Sequence, residues 1–152
     1  MANTPVPTID FSPAKSQLSD VMTQVFHGHQ PRIVSRHHGK EQMLLVRPDD
    51  LVAMLGDYRL DVQAVYDADE VTLRVPDMGA LGFGETLDEA IDDLLVELRA
   101  YATRFLREPA RFMATSRSAH AAALLRFALA DEDDQRRMLG VEESEPAFTT
   151  AR

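Results

Sequence analysis

The residues best suited to chemistry in this sequence form a short basic segment at positions 36–40. Arg36 and Lys40 carry positive charge there, and His37 and His38 lie between them. The whole chain has a formal net charge of −9, so the segment is a local cationic site on an anionic protein. Such a site favours an anion, and a nucleic-acid phosphate is the leading candidate. The alternative is a surface turn that happens to be basic.

The histidines raise the question of a metal site. His27 and His29 precede the basic segment, and His37 and His38 lie within it. Adjacent residues on a strand point to opposite faces, so the second pair could bind one ion only if a turn brought the two rings together. We therefore predict no metal site. Turn histidines that add pH-sensitive DNA contacts are favoured instead.

Carboxylates are clustered at residues 88–93. Such clusters can serve acid–base catalysis or Mg²⁺ binding, but at helical spacing these residues lie opposite an apolar stripe, as on a solvated helix face. Docking against a basic partner is the functional alternative. The residues of the cluster are Asp88, Glu89, Asp92 and Asp93, of which Asp88, Asp92 and Asp93 are predicted partner contacts.

Charge is segregated along the chain. Residues 1–56 are neutral, residues 57–97 carry −10, residues 98–130 carry +5 and residues 131–152 carry −4. The positive block either pairs with the acidic block or forms a second anion-binding face. Its arginines are Arg99, Arg104, Arg107, Arg111, Arg117 and Arg126, and Arg111 with the neighbouring Phe112 is also a predicted partner contact.

Length and composition bound the class of protein. A chain of 152 residues that is 45% hydrophobic and 27% charged fits one globular domain or two small ones. The absence of cysteine excludes disulfides and thiol nucleophiles. No signal peptide and no apolar run of about 18 residues is present. We predict a cytoplasmic protein without membrane contact or cofactor, and no Ser-His-Asp spacing favours an enzyme.

The elements that position the basic segment are predicted next. β-prone runs flank its glycine-containing loop, which predicts a β-hairpin over residues 30–46. A strand at residues 6–11 and a helix over residues 12–28 precede the hairpin, and a short helix over residues 48–55 follows it. Because so small a unit buries little surface, dimerisation is expected, and a two-fold dimer would present two basic tips.

A second unit is predicted after residue 60. Thr86 and Glu89 have the spacing of a capping box, and an apolar stripe from Leu87 to Phe105 predicts a long helix that ends before Pro109. The other predicted elements are strands at residues 62–66, 71–75 and 81–83, helices over 109–130 and 131–139, and a disordered tail over 141–152.

Two motifs in the first third of the chain are shared with a known family. They are Ile9-Asp10-Phe11-Ser12-Pro13-Ala14-Lys15 before Leu18, and Arg32-Ile33-Val34-Ser35-Arg36 with Gly39 and an acidic opening of the next helix. Residues 8–55 thereby resemble the Phd/YefM (prevent-host-death) antitoxins. The resemblance implies a β-α-β-β-α unit that dimerises and binds operator DNA through Lys15 and Arg36, with Lys40 as a further contact. It also implies a RelE-like ribonuclease as the toxin.

Residues 62–106 carry a second pair of motifs. These are Val71-Thr72-Leu73-Arg74-Val75-Pro76-Asp77-Met78-Gly79 and Gly84-Glu85-Thr86-Leu87-Asp88-Glu89-Ala90. They resemble the HicB antitoxins, whose fold is a partial RNase H-like β-α arrangement that caps a toxin, which would then be HicA. Val75 replaces the aromatic residue that precedes proline in that family, and Met78-Gly79 replaces its Pro-Gly.

These observations predict an α+β antitoxin that binds a cognate toxin, a basic ribonuclease, and represses its own operon by binding operator DNA as a homodimer. The site residues predicted to bind DNA are Lys15, Arg36, His37, His38 and Lys40. The alternative is a protein–protein interaction or regulatory module without toxin or DNA. The predicted segments are a DNA-binding and dimerisation unit at 1–57, a HicB-like unit at 58–108, a helical partner-binding region at 109–140 and the tail at 141–152.

Overall fold

The computed structural model describes residues 5–141, which contain two three-stranded sheets and seven α-helices. This combination confirms the predicted α+β class. The chain divides between Met54 and Leu55 into two compact units. No helix within residues 5–141 is long and apolar enough to cross a membrane. Apart from Val141, the predicted disordered tail lies outside the described residues.

The first unit contains a sheet of strands β1 (Thr8–Asp10), β2 (Arg32–Arg36) and β3 (Glu41–Leu45). The central strand β2 pairs in parallel with β1 and antiparallel with β3, so the predicted strand and hairpin are present with shorter bounds. The helices around this sheet are α1 (Phe11–Ser16), α2 (Leu18–Gly28) and α3 (Pro48–Leu55).

The predicted continuous helix over residues 12–28 is wrong, because the backbone leaves helical geometry at Gln17 (φ −118°, ψ 30°). The Ser16 hydroxyl donates a hydrogen bond to the Pro13 carbonyl at 3.0 Å, and the Gln17 amide donates to the same oxygen at 2.9 Å. The carbonyl thus accepts both the helical bond and a serine hydroxyl, an arrangement that often bends helices. The chain therefore forms two helices where periodicity alone predicts one.

The hairpin tip is a turn in which three successive residues have positive φ. The φ values are 52° at His37, 56° at His38 and 84° at Gly39, and the Lys40 amide donates to the His37 carbonyl at 3.3 Å. Positive φ at the central residues matches the twist of a tight hairpin. Glycine adopts it freely and histidine tolerates it at a cost. The turn leaves the side chains of His37, His38 and Lys40 exposed.

The second unit packs a long helix on an antiparallel sheet. Strands β4 (Gln63–Tyr66), β5 (Val71–Val75) and β6 (Ala80–Gly84) lie in that order. The helix α4 spans Leu87–Arg107, and its predicted capping box is confirmed. The Thr86 hydroxyl accepts from the Glu89 amide at 3.2 Å, and the Glu89 carboxylate accepts from the Thr86 amide at 3.3 Å.

Helix α4 lies so close to β6 that two positions of the strand require glycine. A Cβ atom at Gly82 would lie 2.5 Å from both the Ala90 carbonyl oxygen and the Leu94 nitrogen, and one at Gly84 would lie 2.5 Å from the Ala90 nitrogen. The hydrophobic core of the second unit is packed around this contact and excludes water. The largest fully buried side chains are Leu73, Leu94, Leu95, Leu98, Leu124, Phe127 and Leu139.

The predicted continuous helix over residues 109–130 is also wrong. The structure has α5 (Pro109–Met113), a 3₁₀ helix (Ser116–His120) and α6 (Ala121–Leu129). Thr115 separates the first two, since its hydroxyl donates to the Phe112 carbonyl at 2.7 Å and accepts from the Arg117 amide at 3.2 Å.

The last predicted helix is present as α7 (Glu132–Leu139), which ends at Gly140 with φ 62°. Met138 and Leu139 of α7 and Phe127 of α6 belong to the same buried cluster as the inner face of α4. Residues 58–108 and 109–140 therefore share one core.

Candidate functional site

A groove of about 750 Å³ lies between the start of α1 and the hairpin tip. Its wall combines the basic segment with an aromatic ring, Phe11, and one carboxylate, Asp10. Arg36, at the end of β2, is the arginine of this wall. The lining residues are Asp10, Phe11, Ser12, Pro13, Ser35, Arg36, His37, His38 and Lys40.

Arg36 is partly neutralised by its neighbour across the hairpin. Its guanidinium forms an ion pair with Glu41, and each of the two side chains is 52% exposed. The same guanidinium lies over the Phe11 ring, 5.7 Å from the ring centroid. An anion that binds Arg36 therefore competes with a carboxylate that is only loosely held, since exposed ion pairs contribute little.

The two lysines of the predicted DNA contact carry uncompensated charge. Lys15 lies in the last turn of α1 and Lys40 in the hairpin turn, and both are exposed. Within residues 5–141 neither lysine has a carboxylate within ion-pair distance. Lys40 lines the groove with Arg36, whereas Lys15 is outside its lining. The structure thus brings together the tip residues and places Lys15 beyond them on the same unit.

His29 and His120 each make a hydrogen bond with a different partner in the chain. His29 Nδ1 lies 2.9 Å from the Asp50 carboxylate, which links the end of α2 to α3, and His120 Nδ1 is hydrogen-bonded to the Tyr101 hydroxyl at 2.8 Å. Among the described residues no three potential ligands of the His, Cys, Asp or Glu types cluster around one point. The absence of a metal remains a prediction.

The first unit exposes an unusual amount of apolar side chain. Leu18, Met22 and Phe26 follow one another at four-residue spacing along α2 and are 50%, 60% and 53% exposed. Helical periodicity places Leu18, Val21, Met22 and Val25 on one face of the helix, and of these four the two valines are buried. On β3, Met43 and Leu44 are also exposed. An exposed apolar area of this extent usually marks a contact with another protein.

The predicted acidic partner contacts on α4 are occupied within the chain. The Asp92 carboxylate pairs with the Arg136 guanidinium of α7, and Asp88 Oδ1 lies 3.9 Å from the same side chain. The Asp93 carboxylate accepts a hydrogen bond from the Phe83 amide at 2.9 Å, and β6 is an edge strand. Asp93 therefore occupies a main-chain donor that an edge strand would otherwise present to another chain.

The other predicted partner contacts, Arg111 and Phe112, lie on α5 rather than on α4. Arg111 is exposed and its Nη1 lies 3.2 Å from the Glu108 carboxylate. Phe112 is half-buried and stacks on Phe105 with ring centroids 5.1 Å apart. The contact of a partner protein with these two residues and with Asp88, Asp92 and Asp93 remains a prediction.

An open sheet face in the second unit was not predicted. The side chains that point away from α4 form two rows across the strands, Val65–Thr72–Phe83 and Gln63–Arg74–Leu81. Val65, Leu81 and Phe83 are 44–47% exposed. The alternation of β5 and β6, where every second residue is buried, is the signal from which this face follows.

A buried ion pair was also missed. Arg126 is 4% exposed, and its Nη1 lies 2.6 Å from Asp134 Oδ2 while its Nε donates to the Gly56 carbonyl at 3.1 Å. The hydrogen bond from Arg126 lowers the pKa of the Asp134 carboxyl below its ordinary value of 3.8, and burial opposes this effect. Arg137 lies near the same carboxylate at 3.5 Å.

Comparisons with known proteins identify similar chains. A protein-family profile described as PHD_like, "Antitoxin of toxin-antitoxin, RelE / RelB, TA system", matches residues 6–140. The fold is similar to a crystal structure from Syntrophomonas wolfei subsp. wolfei, described as an antitoxin part of a proposed toxin/antitoxin system. That similarity has a TM-score of 0.75 at 18% identity and covers 87% of this chain and 94% of that one. No curated protein gives a significant match.

Proposed function

Because the chain belongs to the PHD-like family of toxin–antitoxin antitoxins, we propose that it binds and neutralises a cognate toxin and represses its own operon by binding DNA as a homodimer. In this proposal the first unit follows the Phd/YefM pattern and the second the HicB pattern. The toxin is a basic ribonuclease that the antitoxin blocks by steric occlusion. The chain itself catalyses no reaction.

The observation that carries the DNA-binding part is the cationic groove at the hairpin tip. Arg36 and Lys40 line it, and Lys15 adds an uncompensated charge on the adjoining helix. Phosphate contacts supply most of the affinity of such an interface, and arginine can also reach a guanine edge. The chain as a whole carries −9, so this groove is a local cationic site on an anionic protein.

Dimerisation is supported by the apolar stripe of α2. The side chains of the stripe, Leu18, Met22 and Phe26, are each at least half exposed, although the Arg47 guanidinium lies 4.6 Å from the centroid of the Phe26 ring. Among residues 5–54 only Ala14, Val21, Val25 and Ser35 are buried. A unit with so small a core gains stability when a second copy covers an apolar face. A two-fold contact would also present two tips to a palindromic duplex.

Toxin binding is assigned to the second unit. Its open sheet face exposes Val65, Leu81 and Phe83 around a single cation, Arg74, which is the composition of a protein contact. Co-purification of the chain with the product of a short neighbouring gene tests this part. We expect the product of the neighbouring gene to be basic and to co-purify with the chain only when the second unit is intact.

Removing one charge of the tip and the charge of Lys15 on the adjoining helix should weaken DNA binding. In the double variant Lys15→Ala, Arg36→Ala we expect affinity for a duplex from the chain's own upstream region to fall about tenfold or more, because phosphate contacts are lost. The slope of log affinity against log salt should become shallower by about 0.9 for each contact removed. Fluorescence anisotropy over a salt series measures both quantities.

Two variants control this experiment. Glu41→Gln removes the carboxylate that pairs with Arg36, so affinity should rise about two- to fivefold, the range set by an exposed ion pair. Arg107→Ala removes an exposed arginine of the second unit and should change nothing. Unchanged affinity and salt slope in the double variant would refute the assignment of the tip to DNA.

A charge placed on the α2 stripe should separate the dimer. For Met22→Lys we expect the dimer dissociation constant to rise about a hundredfold, because an ammonium group would be desolvated in the interface at a cost of about 3 kcal/mol. Sedimentation equilibrium over a concentration series measures this constant.

Val96→Lys is the matched control, since Val96 is an equally exposed apolar residue (63%) on α4 of the second unit. It should leave the dissociation constant unchanged. If Met22→Lys sediments as the parent does, the homodimer does not use this face.

A further inference from the structure

The second unit contains a cavity of about 360 Å³ that three arginines surround. Arg104 comes from the end of α4, Arg111 from α5 and Arg117 from the 3₁₀ helix, so three separate elements bring positive charge to one place. Glu97 is the carboxylate among the lining residues. The cavity is therefore cationic, although the chain as a whole carries a net charge of −9.

The three guanidinium groups are only partly neutralised. Arg104 Nη2 lies 3.9 Å from Glu97, and Arg111 Nη1 lies 3.2 Å from Glu108, with the two arginine side chains 65% and 77% exposed. Arg117 has no ion-pair partner within residues 5–141. Exposed ion pairs of this kind are weak, so a multivalent anion can bind all three guanidinium groups with little loss of free energy from the broken pairs.

The wall behind the arginines consists of packed aromatic side chains. Tyr101 is 5% exposed, and its hydroxyl is hydrogen-bonded to His120 Nδ1 at 2.8 Å. The Arg117 guanidinium lies 5.8 Å from the centroid of the Tyr101 ring, and Phe112 stacks on Phe105 beside it. Aromatic packing of this kind holds the arginine-bearing segments in place before any ligand arrives.

A second groove of about 680 Å³ continues from the cavity and shares Met78, Gly79 and Arg117 with it. Tyr58 lines this groove with a ring that is 40% exposed, and the buried Val75 belongs to its lining. The groove also contains the carboxylates of Asp61 and Asp77 and the guanidinium of Arg59, so unlike the cavity it has no excess of positive charge. Its chemistry therefore suits an aromatic, hydroxyl-bearing group rather than a further phosphate.

We propose that this paired cavity and groove form a binding site for a nucleoside polyphosphate. Arg104, Arg111 and Arg117 hold the phosphates, since a single carboxylate would engage one guanidinium and leave two unused. The base lies in the adjoining groove beside Tyr58, and the carboxylates of that groove accept from the ribose hydroxyls. Each of the two volumes, about 360 and 680 Å³, lies in the range of small-molecule sites, about 300–1,000 Å³.

Calorimetric titration of ATP into the full chain at low ionic strength tests the proposal. We expect binding that weakens about tenfold in Arg117→Gln and in Arg111→Gln, because each substitution removes a charge-assisted hydrogen bond. Both side chains are exposed, so the variants should fold normally, and their thermal melts check this. Arg107→Gln, on α4 but outside the lining of the cavity, should bind ATP as the parent does.

Pyrophosphate and adenosine serve as partial ligands in the same titration. Each should bind at least about tenfold more weakly than ATP, because each fills only one of the two spaces. The proposal is overturned if ATP does not bind at millimolar concentration, or if the two arginine variants bind it as tightly as the parent. Pyrophosphate binding as tightly as ATP would overturn the nucleotide assignment.

Discussion

Gly82→Ala is expected to destabilise the second unit by about 3 kcal/mol or more. The added methyl group would lie 2.5 Å from the Ala90 carbonyl oxygen and the Leu94 nitrogen, which are backbone atoms of α4 and cannot swing aside. The helix would have to move away from β6, and the close packing of the core would open along its length. Urea unfolding followed by circular dichroism measures the loss, which is a large part of a typical stability of about 5–15 kcal/mol.

Gly79→Ala is the matched control for this prediction. Gly79 has φ 66°, but a Cβ atom there meets nothing within 4 Å, so the substitution costs only the left-handed backbone, about 1–2 kcal/mol. The larger loss at Gly82, whose φ is ordinary, would then be due to the close approach of α4. Equal losses in the two variants would contradict the packing argument.

Arg126→Met should also destabilise the second unit, by about 3 kcal/mol, the lower end of the range for breaking a buried ion pair. The substitution leaves the Asp134 carboxylate and the Gly56 carbonyl without their donor. We expect the lower end of that range because the Asp134 side chain is 21% exposed and therefore stays partly hydrated. Unfolding in urea at neutral pH measures this difference.

Arg137→Met provides the comparison, since Arg137 approaches the same carboxylate at 3.5 Å but is 69% exposed. Its loss should cost less than about 1 kcal/mol. If the two substitutions lower the free energy of unfolding by similar amounts, the burial of Arg126 does not account for its effect.

The pH dependence of the Arg126 effect follows from Asp134. Because the folded state lowers the pKa of this carboxyl, its ionised form is favoured by folding, and its contribution is present above the ordinary value of 3.8. That contribution is lost as the pH falls through the folded-state pKa. The stability difference between the parent and Arg126→Met should therefore narrow as the solution is acidified below about 3.8.

Elements with strong local signals were predicted well. The capping box of Thr86 and Glu89 marks the start of α4, and Pro109 lies two residues beyond its end. Both ends of α4 were therefore located from residues within a few positions of them. Strand β5 has the predicted bounds, and Gly140 terminates α7 as predicted. These signals depend on backbone preferences that act over one or two turns.

Breaks inside apolar periodicity were not predicted. The hydroxyls of Ser16 and Thr115 bond to main-chain carbonyls and divide what periodicity describes as single helices. Whether such a side chain bonds to the main chain or to solvent depends on the packing around it. Periodicity also placed Leu18 and Met22 with the buried valines of α2, because it reports a helical face but not whether anything covers that face.

The sequence by itself determined the positions of the charges and the local elements that carry them: a basic hairpin tip, an acidic stretch on the long helix and an arginine-rich block. The tertiary structure decided which charges are engaged. Arg36 pairs with Glu41 across two strands, Asp92 with Arg136 and Arg126 with Asp134 in the second unit, while Arg104, Arg111 and Arg117 meet around one cavity. Local preferences act over a few residues, whereas Asp92 and Arg136 are 44 residues apart in sequence and only the folded chain brings them into contact.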